Sequence, residues 1–183
     1  MQKNRVLGYK ARERSKILVY TLTVGIMILI FSALQVSLFG RIRPFGAVPD
    51  LMLCLVLGIA VFKGEYAGAI TGICAGFVIE AIGSRGISLL PVVYMIYGYV
   101  VGHYAKHTRR YVYYLFYLAI GLIVRASLTV TYACLNYRII NLPDIVLYSV
   151  LPEALGTALV GCVMYVIVKP VCFLMDRGKR GAV

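Results

Sequence analysis

Apolar residues fall along this chain in six runs separated by short polar breaks. Ile17 to Phe39 is the first, an uninterrupted stretch long enough to cross a bilayer. Leu51 to Phe62 and Tyr66 to Ile82 follow, each shorter than the ~20 residues of an average crossing. These two predict short helices with snorkelling ends, or part of a re-entrant hairpin. Ile87 to Tyr104, Tyr111 to Asn136 and Ile145 to Val168 complete the set, with Pro152 a predicted kink in the last. The pattern predicts an all-α polytopic membrane helix bundle of about six transmembrane helices, the second and third spans short.

The breaks carry turn chemistry. Gly40 to Val48 (GRIRPFGAV) and Gly83 to Gly86 (GSRG) hold Gly or Pro breakers, Lys63-Gly64-Glu65 is a tight charged turn, and Tyr137 to Asp144 contains Pro143. Pro49 and Asp50 open the second run, where Pro fits a first helical turn and an acid suits the positive end of the helix dipole. Asp50 is expected near the outer edge, capping the helix or facing water. Three stretches result: a basic segment 1–16, a six-span bundle 17–168 and a basic tail 169–183. A basic start before an apolar run resembles a signal peptide, but this run exceeds a usual h-region and no A-x-A site follows. It is expected to be retained as the first helix.

Composition sharpens the reading. Apolar residues make up 61% of the chain and charged residues 14%, and the mean hydropathy is +0.87. A soluble domain carries about 45–50% apolar and roughly a quarter charged residues, so the solvent for this chain is lipid. The net charge of +12 does not indicate nucleic acid, because the basic residues sit between apolar runs instead of forming an aromatic-interleaved stripe. They act as orientation signals and contacts for anionic headgroups. With six spans, one side collects fourteen Lys and Arg and the other four, Arg125 lying inside a span. The positive-inside rule then places both termini in the cytoplasm.

Catalytic and cofactor patterns are absent from the sequence: no GxSxG, HExxH or Walker A loop, and no CxxC pair among the five cysteines. No enzyme, cofactor or metal site is expected. His103 and His107 flank a basic helix end, where headgroup contact suits them better than a metal. Tyr104, Tyr111, Tyr113, Tyr114 and Tyr117 match an interfacial aromatic belt around the AKHTRR loop.

Two constellations stand out. Gly64, Gly68, Gly72 and Gly76 recur every fourth residue and line one helix face, letting another backbone approach closely; Gly98 and Gly102 repeat the theme. That face serves a close crossing inside the chain, or a docking groove for another protein's helix. The second is a set of ionisable residues within the membrane: Glu80, Arg125 and Glu153. At ~1.5 Å per residue all three fall ~9–12 Å from the outer face of a ~30 Å core. Arg125 could pair with either carboxylate, as a structural staple or as part of a polar pocket or partner contact.

The stretch VPDLMLCLVLGIAVFKGEYAGAITGICAGFVIEAIGSRGISLLPVVYMIYGYVVGHY resembles the middle of the MreD family of bacterial rod shape-determining membrane proteins. The likeness rests on Pro49-Asp50-Leu51, the Lys63 to Glu65 turn, the glycine helix Gly68 to Gly76 ending at Glu80, and Gly98-Tyr99…Gly102. Glu80 stands where the family more often shows Asp, and Arg125 has no family role to carry over. The resemblance implies a non-enzymatic scaffold subunit of the cell-elongation machinery in the bacterial cytoplasmic membrane. Its partners would be an MreC-like protein, an MreB-type filament, and a complex of RodA with a class B penicillin-binding protein. Two transport readings stand beside it. One is the substrate-binding membrane subunit of an energy-coupling-factor vitamin importer, whose first helix commonly carries an alanine-rich face where this one has only Ala33. The other is a small solute carrier using Glu80 and Glu153, which requires an aqueous cavity reaching them.

Overall fold

The computed structural model describes residues 2–42, 46–83, 89–105, 111–136 and 146–180. Helix α1 (Gln2–Leu34) continues through a π-helical turn (Gln35–Phe39) into a last turn (Gly40–Ile42). It is followed by α2 (Leu51–Lys63), α3 (Glu65–Gly83), α4 (Leu90–Tyr104) and α5 (Tyr111–Asn136). A second π-helical turn (Val146–Val150) leads into α6 (Leu151–Arg180). Among the described residues there is no strand.

The outer helices exceed the apolar runs that predicted them. α1 starts at Gln2 and α6 ends at Arg180, so the basic segments 1–16 and 169–183 largely prolong the first and last helices. Lys, Arg, Glu and Gln are good helix formers and carry the helix on in both segments. Pro170 is accommodated inside α6, and Pro152 lies in its first turn. Proline has no N–H to give to the residue four before it, and the helix there is entered through the wider π turn. Most of the predicted loops at 83–86, 105–110 and 137–144 lie outside the described residues.

The short second run is the centre of the molecule. α2 is apolar on every side, and Leu51 to Val61 are all buried, as a helix without a polar face must be. It is ringed by Val24 and Ile28 of α1, Tyr94, Tyr97 and Val101 of α4, Tyr114 and Leu118 of α5, and Met164, Tyr165 and Val168 of α6. Whether it spans fully or re-enters, this short helix is a core pillar.

Each helix runs opposite to its predecessor. Lys63 lies over the Tyr20 ring at 5.9 Å while Leu51 donates to Gln35, which sets α1 antiparallel to α2. Gly68 faces Ala60 across the α2–α3 break. Gly68 meets Gly98, and Gly76 meets Pro91, fixing α3 against α4. Tyr97 donates to Tyr117 O at 2.7 Å, and Gly121 abuts the same Tyr97 ring. Tyr114 reaches Gly161 O as Arg125 reaches Glu153, which makes α5 and α6 antiparallel. Tyr20, Lys63, Glu65, His103, Tyr111 and Cys172 therefore share one end of the bundle.

Among the described residues, four helical segments are long and apolar enough to cross a membrane: Ile17–Ile42, Glu65–Ile82, Tyr111–Thr131 and Leu151–Phe173. Leu22, Ile26 and Leu29 on α1, Ile70 and Phe77 on α3, Phe116 and Ile123 on α5, and Leu159 and Val163 on α6 are exposed. A surface this apolar is that of a membrane protein.

Candidate functional site

α2 is 13 residues long, ~20 Å at 1.5 Å per residue, against a hydrocarbon core of ~30 Å. A helix that starts inside the slab must satisfy its first backbone N–H groups without water. Side chains from two helices and the residue before α2 do this. Gln35 Oε1 accepts from Leu51 N at 3.1 Å and Met52 N at 3.4 Å. Asp50, the N-cap, accepts from Leu53 N through Oδ1 at 3.0 Å. The N–H of Asp50 itself goes to Thr157 Oγ1 at 2.9 Å, and that hydroxyl donates to Glu153 O at 2.7 Å.

Charge gathers on the other carboxylate oxygen. Asp50 Oδ2 accepts from the Tyr94 hydroxyl and lies 3.1 Å from Arg125 Nε. The same Nε donates to Glu153 Oε1 at 3.0 Å. Asp50 and Tyr94 are each 1% exposed, and the Arg125 and Glu153 side chains 17% and 15%. One guanidinium thus holds two carboxylates, and α1, α2, α4, α5 and α6 meet around it.

Of the residues singled out in the sequence, Arg125 and Glu153 come together and Glu80 does not join them. Glu80 Oε1 instead accepts from Leu90 N at 3.2 Å, capping α4, whose own N-cap Leu89 has no side-chain acceptor. Its partner is set by the α3–α4 hairpin: Glu80 sits near the end of α3, beside the start of the helix that returns. Asp50 takes the place expected for Glu80, as a buried cap and ion-pair partner that does not face water. Pro49 is buried against Gly156.

The glycines are also divided. Gly64 is off the α3 face: it is the break itself, with φ +91°, a conformation that favours glycine. Gly68, Gly72 and Gly76 do form one face, and α4 of the same chain covers it. A Cβ on Gly68 would lie 2.5 Å from Gly98 O and 2.7 Å from Ala60 Cβ, and one on Gly72 would overlap the Tyr94 carbonyl. A Cβ on Gly102 would sit 2.5 Å from Glu65 Cα. The stripe is spent on the internal crossing, so no partner groove remains there.

Gln35, Tyr94 and Thr157 were not singled out in the sequence. Thr157 follows Glu153 by one helical turn and so shares its face. Gln35 is an amide within an apolar run, and the π turn that begins with it bears on the start of α2. Nothing in the spacing distinguishes Tyr94 from Tyr97 and Tyr99.

Two hollows bear on chemistry. One, between α5 and α6 beside the ion pair, has about 10 Å³ and is lined by Leu122, Arg125, Ala126, Val150, Glu153 and Ala154. The other is a shallow groove of about 350 Å³ between α1 and α3, apolar throughout, with Gly25 and Cys74 among its walls. At the opposite end from the cluster, His103 Nδ1 pairs with Glu65 Oε2 at 2.6 Å. Among the described residues, no group of three His, Cys, Asp or Glu side chains is placed to hold a metal.

Fold and cluster together define a polytopic helical membrane protein with a buried ionic staple. No family model, no curated protein and no solved structure matches the chain.

Proposed function

We propose that this chain is a non-enzymatic scaffold subunit of the bacterial cell-elongation machinery, crossing the cytoplasmic membrane six times with both termini in the cytoplasm. One observation carries the reading: Arg125 ties Asp50 to Glu153 in a cluster to which five helices contribute, and the hollow beside it has about 10 Å³. A small-molecule site takes ~300–1,000 Å³ with several convergent polar groups. The groove of comparable size, between α1 and α3, is almost wholly apolar, and the Thr21 hydroxyl on its wall bonds Ile17 O, so the convergent polar groups of such a site are missing from its lining. Glu80 and Glu153 hold different partners, Leu90 N and Arg125, which favours the scaffold over a carrier that uses the two together.

The MreD-like stretch coincides with α2, α3 and α4, the most tightly packed part of the molecule. That resemblance supports an MreC-like protein, an MreB-type filament and a complex of RodA with a class B penicillin-binding protein as partners. Alternation of the six helices and the preponderance of basic residues at the end shared by the termini favour the stated orientation. The test is depletion in a rod-shaped host that carries the gene. Rounding of the cells with unchanged vitamin uptake, and co-purification of the MreC-like protein, are expected. Cells that stay rods while uptake of a vitamin falls would sink the proposal in favour of import.

A further inference from the structure

Lys63 brings α1 and α6 together at the end of the bundle where both helices leave it. Its Nζ donates to Cys172 O at 3.0 Å and lies 5.9 Å from the centre of the Tyr20 ring. Tyr20 of α1 and Cys172 of α6 therefore flank one ammonium group, level with the last residue of α2. Both helices continue past that level. α1 extends ~27 Å from Tyr20 to Gln2, and α6 extends ~12 Å from Cys172 to Arg180.

These two arms are basic. Beyond Tyr20 the first carries Lys16, Arg14, Arg12, Lys10, Arg5 and Lys3 against Glu13; beyond Cys172 the second carries Arg177, Lys179 and Arg180 against Asp176. Basic residues beside a span orient it and meet anionic headgroups, but reach limits how many of them lipid can use. The headgroup layer adds ~5–8 Å on each side of the hydrocarbon, and an exposed charge is largely screened beyond ~8 Å at physiological salt. Along the helix axis Lys16 stands ~6 Å past Tyr20, Lys10 ~15 Å, Arg5 ~22 Å and Lys3 ~25 Å. A tilt of ~20° shortens these heights by under ~10%. Lys16, Arg14 and Arg12 thus fall within range of the headgroups, Lys10 is at its limit, and Arg5 and Lys3 are past it. Since α1 is one helix from Gln2 to Leu34, those residues are carried away from the membrane surface instead of lying along it.

Spacing adds a second requirement. Lys10 and Arg14, and Arg12 and Lys16, are four residues apart, a separation at which like charges disfavour a helix. An opposing row of carboxylates would relieve that repulsion. The one aromatic residue of the first arm, Tyr9, offers no stacking row for bases. The surface that complements the arms is therefore acidic and stands farther out than lipid does. We propose that the helical arms of α1 and α6, on either side of Lys63, bind an acidic surface of a cytoplasmic protein. This rests on the scaffold reading for the compartment that the arms enter, and it places a partner contact outside the bilayer.

The test uses the full chain in nanodiscs, with a fluorescent peptide of alternating Glu and Ala as the probe and its Gln/Ala counterpart as the control. Binding is followed by anisotropy in discs of phosphatidylcholine alone and in discs rich in phosphatidylserine. The glutamate peptide should be preferred in both. Replacing the distal charges together, Lys3→Gln, Arg5→Gln and Lys10→Gln, should weaken its binding by ~3-fold or more, the effect of three exposed ion pairs. Loss of the preference in phosphatidylserine discs would overturn the proposal and give the arms to lipid. Undiminished binding by the distal variant would also overturn it, since the attraction would then lie with the residues nearest the membrane. Preference for glutamate with no change of cell shape on depletion would keep the arms and discard the scaffold. Rounded cells with equal binding of the two peptides would do the reverse.

Discussion

Replacing Asp50 tests whether the cluster holds the bundle together. Asp50→Ala removes the N-cap from Leu53 N, a loss of ~1 kcal/mol. It leaves the fully enclosed Tyr94 hydroxyl without its acceptor, ~1–3 kcal/mol. Arg125 keeps Glu153, so the electrostatic cost stays below the ~3–5 kcal/mol of stripping a buried charge of its partner. Polar contacts inside membranes often measure under ~2 kcal/mol because the unfolded chain in lipid also finds partners, which pulls the total toward ~3–5 kcal/mol. Asp50→Asn retains an oxygen for Leu53 N, and the Tyr94 hydroxyl can turn to accept from the amide, but the new NH2 faces the Arg125 Nε–H, donor against donor, so the cost should be ~1–3 kcal/mol. Unfolding of the purified chain by sodium dodecyl sulfate in mixed micelles, followed by circular dichroism, measures both. An alanine variant within ~1 kcal/mol of the parent, or an asparagine variant as damaged as the alanine one, would refute the cluster as a staple.

Three further predictions use the same assay. Gly72→Ala presses a Cβ into the Tyr94 backbone and should cost ~2–3 kcal/mol, whereas Gly25→Ala, with nothing within 4 Å of the added atom, should be neutral or stabilising by up to ~1 kcal/mol; equal effects would contradict the α3–α4 crossing. Gln35→Leu leaves Leu51 N and Met52 N without their side-chain acceptor and should cost ~2–3 kcal/mol, with Gln35→Glu milder because it retains an oxygen; a neutral leucine variant would show that water reaches the start of α2. Gly64→Ala meets the positive φ at the α2–α3 break and should lose ~1–2 kcal/mol; unchanged stability would mean the break can relax into another conformation.

The helices were legible because apolar runs and their breaks follow directly from the need to keep backbone polar groups bonded in lipid. Glycine spacing gave the close crossing, but which helix fills the face depends on chain direction, which a repeat of four does not encode. Arg125 and Glu153 could be matched by depth. Depth could not separate Glu153 from Glu80, since both lie at similar heights and only the helix arrangement puts Glu80 beside the start of α4. The central position of α2 was hidden for a related reason: shortness reads as peripheral until five helices are seen to surround it. For Asp50 the sequence left a cap and a water-facing position side by side; the structure makes it a buried cap, a burial that depends on Gln35 and Thr157 closing around it.

The shortness of α2 is the cause from which the cluster follows. A pillar of ~20 Å in a slab of ~30 Å brings a non-helical approach, residues 46–50, down to membrane depth. Irregular backbone is tolerated at that depth only where protein or trapped water meets its polar groups. Gln35, Asp50 and Thr157 meet those groups, but the carboxylate needed for the cap introduces a charge, which Arg125 neutralises, and Arg125 in turn is shared with Glu153. On the scaffold reading these polar residues stay fixed while the protein works, unlike those of a carrier, which must exchange partners with a substrate.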